Sequence, residues 1–138
     1  MELGQIYRWE TDKAKGYEAR YKYHLYICEP DWREDHTFLF ISKANYNGDY
    51  PINNTDYPFM PLEVSYIGGC VFYTDAELNA ANPQLVGTLL GADLKALYNS
   101  VASSRTMEGG TFCACATPLR EASNATLYVL LRLLGSDV

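Results

Sequence analysis

The stretch Val64–Tyr73, VSYIGGCVFY, decides the fold class. Valine, isoleucine, tyrosine and phenylalanine suit the pleated, half-buried surface of a strand. Gly68 and Gly69 interrupt the run, and paired glycines inside a strand mark a bulge or sharp bend, the device that lets a small sheet curl. Upstream, residues 5–9 (QIYRW), 21–28 (YKYHLYIC) and 38–42 (FLFIS) read as further short strands. In 21–28 the alternation puts Tyr21, Tyr23, Leu25 and Ile27 on one face and Lys22, His24, Tyr26 and Cys28 on the other. The connectors ETDKAKGYEAR (10–20) and EPDWREDH (29–36) are polar, with a glycine in one and a proline in the other; the second puts His36 in a surface turn. Several short strands with turn signals between them predict an α+β chain, mainly β, built on a compact and strongly bent barrel.

Residues 48–61, GDYPINNTDYPFMP, carry three prolines among aromatic and Asx side chains. Each proline lacks an N–H and restricts the residue before it, so neither regular helix nor a central strand fits. The segment reads as a strap. Either its prolines hold it while its rings plug the barrel, or Tyr46, Tyr50, Tyr57 and Phe59 offer stacking surfaces with Asn45, Asn53 and Asn54 as hydrogen-bonding partners.

The last third is more helical. Thr74 and Glu77 form a capping box that opens a short helix, which Pro83 stops. Residues 85–89 (LVGTL) suggest one more strand. Residues 91–104 read as a helix with Leu94, Leu97, Tyr98 and Val101 on one side. After the MEGGT break, Thr117 and Pro118 open a final helix that ends before Gly135, with a stripe through Leu119, Thr126, Leu127, Leu130, Leu131 and Leu134 that needs the barrel or a second subunit to cover it.

At 138 residues the chain is expected to be a single domain, 1–138. No apolar run approaches the roughly 20 residues that cross a bilayer, and residues 1–10 lack the order of a signal peptide, so a soluble cytoplasmic protein is expected. Cys113-Ala114-Cys115 is not a C-x-x-C pair, and with only two histidines no metal and no cofactor is expected. The four cysteines then read as small buried hydrophobes rather than disulfides. The net charge of −6 is uneven: residues 1–47 hold seven Lys/Arg against eight Asp/Glu, and residues 48–138 hold four against nine. That balance argues against avid, unspecific binding to nucleic acid but leaves room for a local basic site in the first part.

The order of elements in GQIYRW…RYKYHLYI…HTFLFIS…SYIG…LVGTLLGADLKALYNSVASS resembles the MazF/PemK/Kid family of toxin endoribonucleases. The likeness spans residues 4–104, with Gly4-Gln5-Ile6-Tyr7 where the family opens G-D-[IV] and Lys22-Tyr23 where its second strand begins R-P; residues 107–138 form an extension beyond it. The resemblance implies a small SH3-like barrel with a packed helix. It also implies metal-independent cleavage of single-stranded RNA, an antitoxin-like protein partner and a homodimer, with no membrane. By position, Lys22 stands where the family has its arginine and Ser42 where it has a strand-ending Thr or Ser. Lysine supplies the charge without the bidentate fork.

The candidate catalytic residues are therefore Lys22, His24 and Ser42. Lys22 and His24 share a strand face by alternation, a phosphate clamp beside a titrating group. Arg20, Lys43, Asn45, Tyr46 and Tyr57 are the candidate substrate-binding residues. Asp49 and Asp56 are awkward neighbours for phosphate. The competing expectations are a catalytically degenerate SH3-like module that holds a protein or nucleic-acid partner through its aromatic loop, and an assembly component that pairs through the final helix.

Overall fold

The computed structural model describes residues 1–14, 16–30, 35–46 and 49–102. Six strands form one antiparallel sheet: β1 (Gln5–Thr11), β2 (Arg20–Cys28), β3 (His36–Ser42), β4 (Tyr50–Asn53), β5 (Val64–Tyr73) and β6 (Gln84–Thr88), in the order β4-β5-β3-β2-β1-β6. Two helices, α1 (Asp75–Ala81) and α2 (Gly91–Ala102), complete the mainly β fold. The expected final helix from Thr117, its leucine stripe, and Cys113 and Cys115 lie outside the described residues.

The glycine pair in β5 works as a bulge and not as a break. Leu39 pairs with Cys70 and the next residue, Phe40, with Gly68, so Gly69 is the extra residue, and it takes φ 82°. A Cβ on Gly68 would overlap the Asp49 carboxylate, which lies against this backbone. The kink helps curl the sheet into a half-barrel.

The curl brings together strands that are not neighbours. The Thr11 hydroxyl at the end of β1 lies 2.8 Å from the Tyr73 hydroxyl at the end of β5. Lys13, just past β1, donates from Nζ to the Phe72 carbonyl at 2.8 Å and pairs with Glu77 of α1 at 2.7 Å. The start of the β1–β2 connection thus lies against the end of β5 across the open side of the half-barrel. Trp9, His24, Phe38, Tyr73 and Tyr26 pack inside as edge-to-face, tilted and stacked rings.

On the other face, cross-strand partners Ile6, Leu25 and Leu39 form one row and Ile41, Ile67 and Tyr50 a second. The strap and α2 share this side of the molecule, where Leu94 and Leu97 are buried; the side chains of Tyr98 and Val101 lie outside the description. With both faces covered, β2 is continuously buried from His24 to Cys28.

The strap contains a short strand at the sheet edge, the one strand position that its prolines allow. β4 pairs with β5 alone, Pro51 opposite Tyr66, and an edge position tolerates the missing N–H. Next comes an Asx turn, in which the Asp56 N–H donates to Asn53 Oδ1 at 2.8 Å. Phe59 then lies on Gly87 of β6, where a Cβ would collide with its ring. Asp93 in the first turn of α2 accepts hydrogen bonds from the hydroxyls of both Tyr50 and Tyr57, and the Leu90 N–H donates to the Tyr57 oxygen at 2.9 Å. Burial first, and then the bond to Asp93, push the Tyr50 phenol up to about 12 and the Tyr57 phenol up as well.

The capping box forms as expected, with the Thr74 hydroxyl accepting from the Glu77 N–H and the Glu77 carboxylate from the Thr74 N–H. α1 ends at Ala81, with Asn82 in the left-handed region as its cap immediately before Pro83. His36 is not a turn residue. It begins β3, half-buried between the Tyr26 hydroxyl (2.7 Å) and Asp75 Oδ1 (2.6 Å), so it ties β2 to α1.

Candidate nucleic-acid interface

Lys22 and Ser42 meet because β2 and β3 pair through Tyr23 and Ile41, which leaves the next residues of both strands side by side at the end of the sheet. The Lys22 ammonium donates to Ser42 Oγ at 2.9 Å and sits 5.7 Å from the centre of the Phe40 ring. Since Ser42 Oγ accepts from lysine, its own O–H is free to donate to an anion. Lys22 keeps two more N–H donors. Partial burial pulls the Lys22 pKa down, and the positive charges of Arg20 and Lys43 pull it further. The charges acting on Lys22 are thus cationic, although the whole chain is acidic.

His24 is brought to the same strand face but not to the surface. It is fully buried, with its ring stacked on Trp9 at 3.5 Å and 7°. Its Nδ1 lies 2.9 Å from the Lys22 carbonyl, which can only accept, so this nitrogen carries the proton. Nε2 then accepts from the Tyr73 hydroxyl at 2.9 Å, and Tyr73 in turn accepts from Thr11. The chain of bonds is satisfied from end to end and holds the neutral ring. Burial, reinforced by the Lys22 charge, holds the His24 pKa down at about 3; the hydrogen bond to the Lys22 carbonyl only partly offsets it. His24 therefore stands where it fixes the Lys22 backbone, and not where it can exchange protons with a ligand.

Tyr57 also leaves the group of surface candidates. It is only 2% exposed, and its hydroxyl is held by Asp93 and Leu90, so it anchors the strap to α2. Asn45 is exposed, and its Oδ1 accepts the Asp49 N–H at 2.8 Å; Tyr46 is half exposed, and its N–H donates to Asp49 Oδ2 at 3.2 Å. Both follow Ser42 and Lys43 in the turn that leaves β3. Asp49 itself is buried against Gly68, so it does not project into solvent beside the lysines. Asp56 is exposed; its N–H closes the Asx turn and its carboxylate accepts from the Asn53 side-chain amide at 3.3 Å.

Arg8 and Tyr21 escaped the reading of the sequence. Arg8 lies opposite Tyr23 in the β1–β2 register, and its guanidinium sits 4.4 Å from the Tyr21 ring centre and 5.8 Å from that of Tyr23. Alternation put the two tyrosines on one face, but the partner strand that supplies the arginine is set by register.

Among the described residues, no group of three or more His, Cys, Asp or Glu side chains is placed to hold a metal ion, and neither Cys28 nor Cys70 is in a disulfide. No helix among them is long and apolar enough to cross a membrane. No family model matches the chain, and neither a curated protein nor a solved structure shows significant similarity to it.

Proposed function

We propose that the end of the sheet around Lys22 and Ser42 binds the phosphodiester backbone of single-stranded RNA, on a barrel of the SH3-like kind used by MazF/PemK/Kid toxins. One observation carries the reading: the 2.9 Å Lys22–Ser42 pair presents ammonium and hydroxyl donors together, with Arg20 and Lys43 as the neighbouring charges. Phosphate oxygens are acceptors only, and a cation beside a hydroxyl donor suits them. The strap's rings, Tyr57 buried and Tyr50 and Phe59 partly so, argue for this end of the sheet, rather than the aromatic loop, as the contact surface.

A second reading, metal-independent endoribonuclease activity, is favoured by the lowered pKa of Lys22. In such a reaction the ribose 2′-oxygen loses its proton and attacks phosphorus, the P–O5′ bond breaks, and the 5′-oxygen takes a proton. Lys22 would stabilise the charge developing on the phosphorane and Ser42 would donate to it. With His24 withdrawn, proton transfer would fall to Lys22 or water. An antitoxin-like partner would act by covering this same end, and a homodimer belongs to the same proposal.

Fluorescence anisotropy with a labelled single-stranded oligoribonucleotide across a salt series tests the binding. Lys22→Ala should weaken it and reduce the slope of log K against log salt by about one. Absence of binding by the parent chain, or a Lys22→Ala variant that binds like the parent, would sink the proposal. The same samples run on a gel with EDTA decide the second reading. Discrete products lost in Lys22→Ala and Ser42→Ala would establish cleavage; intact RNA would leave binding alone.

A further inference from the structure

Beside Lys22, on the opposite face of the sheet, is an exposed aromatic surface that the phosphate contact does not use. Tyr21 is 57% exposed, the Arg8 guanidinium lies over its ring, and Tyr23 extends the same face inward. Its position matters as much as its chemistry. β3 ends at Ser42, beside Lys22, so Tyr21 and Arg20 overhang it and, among the described strands, pair with β1 alone. A strand held by its phosphate at Lys22 can therefore turn round this overhang to reach the opposite face.

We propose that Arg8, Tyr21 and Tyr23 form a stacking platform for one unpaired nucleobase, next to the nucleotide whose phosphate lies at Lys22 and Ser42. The inference rests on the phosphate-binding reading and assigns it a second subsite. Every base has a π-face, so a tyrosine with a guanidinium beside it holds bases with little sequence preference. The cation also suits the strand that carries the base. Glu10, which pairs with Tyr21 in the register, borders the platform and opposes the same strand. A duplex keeps its bases stacked on one another, so the platform selects single strands.

The test uses the full chain with a labelled oligouridylate, the same oligomer carrying abasic sites, and a duplex RNA. Tyr21→Ala should weaken binding of the oligouridylate about tenfold, by loss of one stacked base, with the salt slope unchanged. Tyr21→Phe should bind like the parent, and Glu10→Gln should bind more tightly. The parent should lose affinity for the abasic oligomer, and Tyr21→Ala should lose no more. Equal affinity of parent and Tyr21→Ala for the oligouridylate, with Lys22→Ala still defective, would overturn the platform and leave the phosphate site standing. A Tyr21→Ala defect that is as large on abasic or duplex RNA would overturn it too. No RNA binding by the parent would remove both. Because Tyr21 is exposed, thermal unfolding of the variants should match the parent, which keeps a binding loss interpretable.

Discussion

Mild acid should loosen this fold through one side chain. In the unfolded chain His24 has an ordinary histidine pKa near 6.5, whereas burial holds it at about 3 in the folded state. Above pH 6.5 both states carry the neutral ring and the histidine adds no pH dependence. As pH falls below that value, the unfolded chain binds a proton that the native one refuses, so stability is lost until the folded group titrates at about pH 3. At 1.36 kcal/mol per pH unit, the loss is about 2 kcal/mol at pH 5 and about 3 kcal/mol at pH 4. Full burial means that solvent screening does not reduce this figure. The assay is urea unfolding followed by tryptophan fluorescence from pH 7 to pH 4, comparing the parent with His24→Phe, which keeps a ring on Trp9 but cannot titrate. Carboxylates titrate in both proteins and drop out of the difference. The stability of the parent relative to the variant should fall by about 2 kcal/mol between pH 7 and pH 5. Parallel pH curves would refute the neutral, buried assignment and return His24 to the set of groups able to exchange protons with a ligand.

Other perturbations test the packing around the strap and helices. Asp93→Ala removes the acceptor shared by Tyr50 and Tyr57, and with a charged acceptor lost to two donors the expected cost is about 2–4 kcal/mol in urea unfolding. The same two phenols should make the parent lose stability above pH 10, where the unfolded tyrosines ionise before the folded ones, and Asp93→Ala should flatten that decline. Gly87→Ala should cost about 1–3 kcal/mol by driving a methyl into Phe59, and Phe59→Ala should relieve most of that penalty in the double variant. Thr74→Ala should cost about 1 kcal/mol through loss of the α1 cap, read as a lower thermal midpoint.

The strands and helices of residues 5–102 were largely legible, because alternation, the glycine pair and the capping box are local signals. β4 was not named as a strand: its prolines excluded only a central one, and which strand lies at an edge is a property of the whole sheet. The candidate site was legible in part. Lys22 and Ser42 could be nominated, but their contact depends on the β2–β3 register. Alternation correctly gave His24 the same face as Lys22. What it could not give was the partner 49 residues away that draws the ring inward, or the Trp9 ring beneath it. Tyr57 was misjudged for the same reason, because its hydroxyl is claimed by an aspartate 36 residues later. Tyr21 was given a face but no arginine, because Arg8 comes from the neighbouring strand.

The hydroxyl contact that joins the ends of β1 and β5 bridges residues 62 apart in the chain. The entropy of closing so long a loop must be spent before the contact returns anything, so hairpin pairing between neighbours in the chain should come first and this closure late. An interaction absent from the folding transition state governs how fast the native state opens, not how fast it forms. Thr11→Val should therefore leave the refolding limb of a chevron plot almost unmoved and raise the unfolding limb, which would make this small bond the latch that sets the lifetime of the curled sheet.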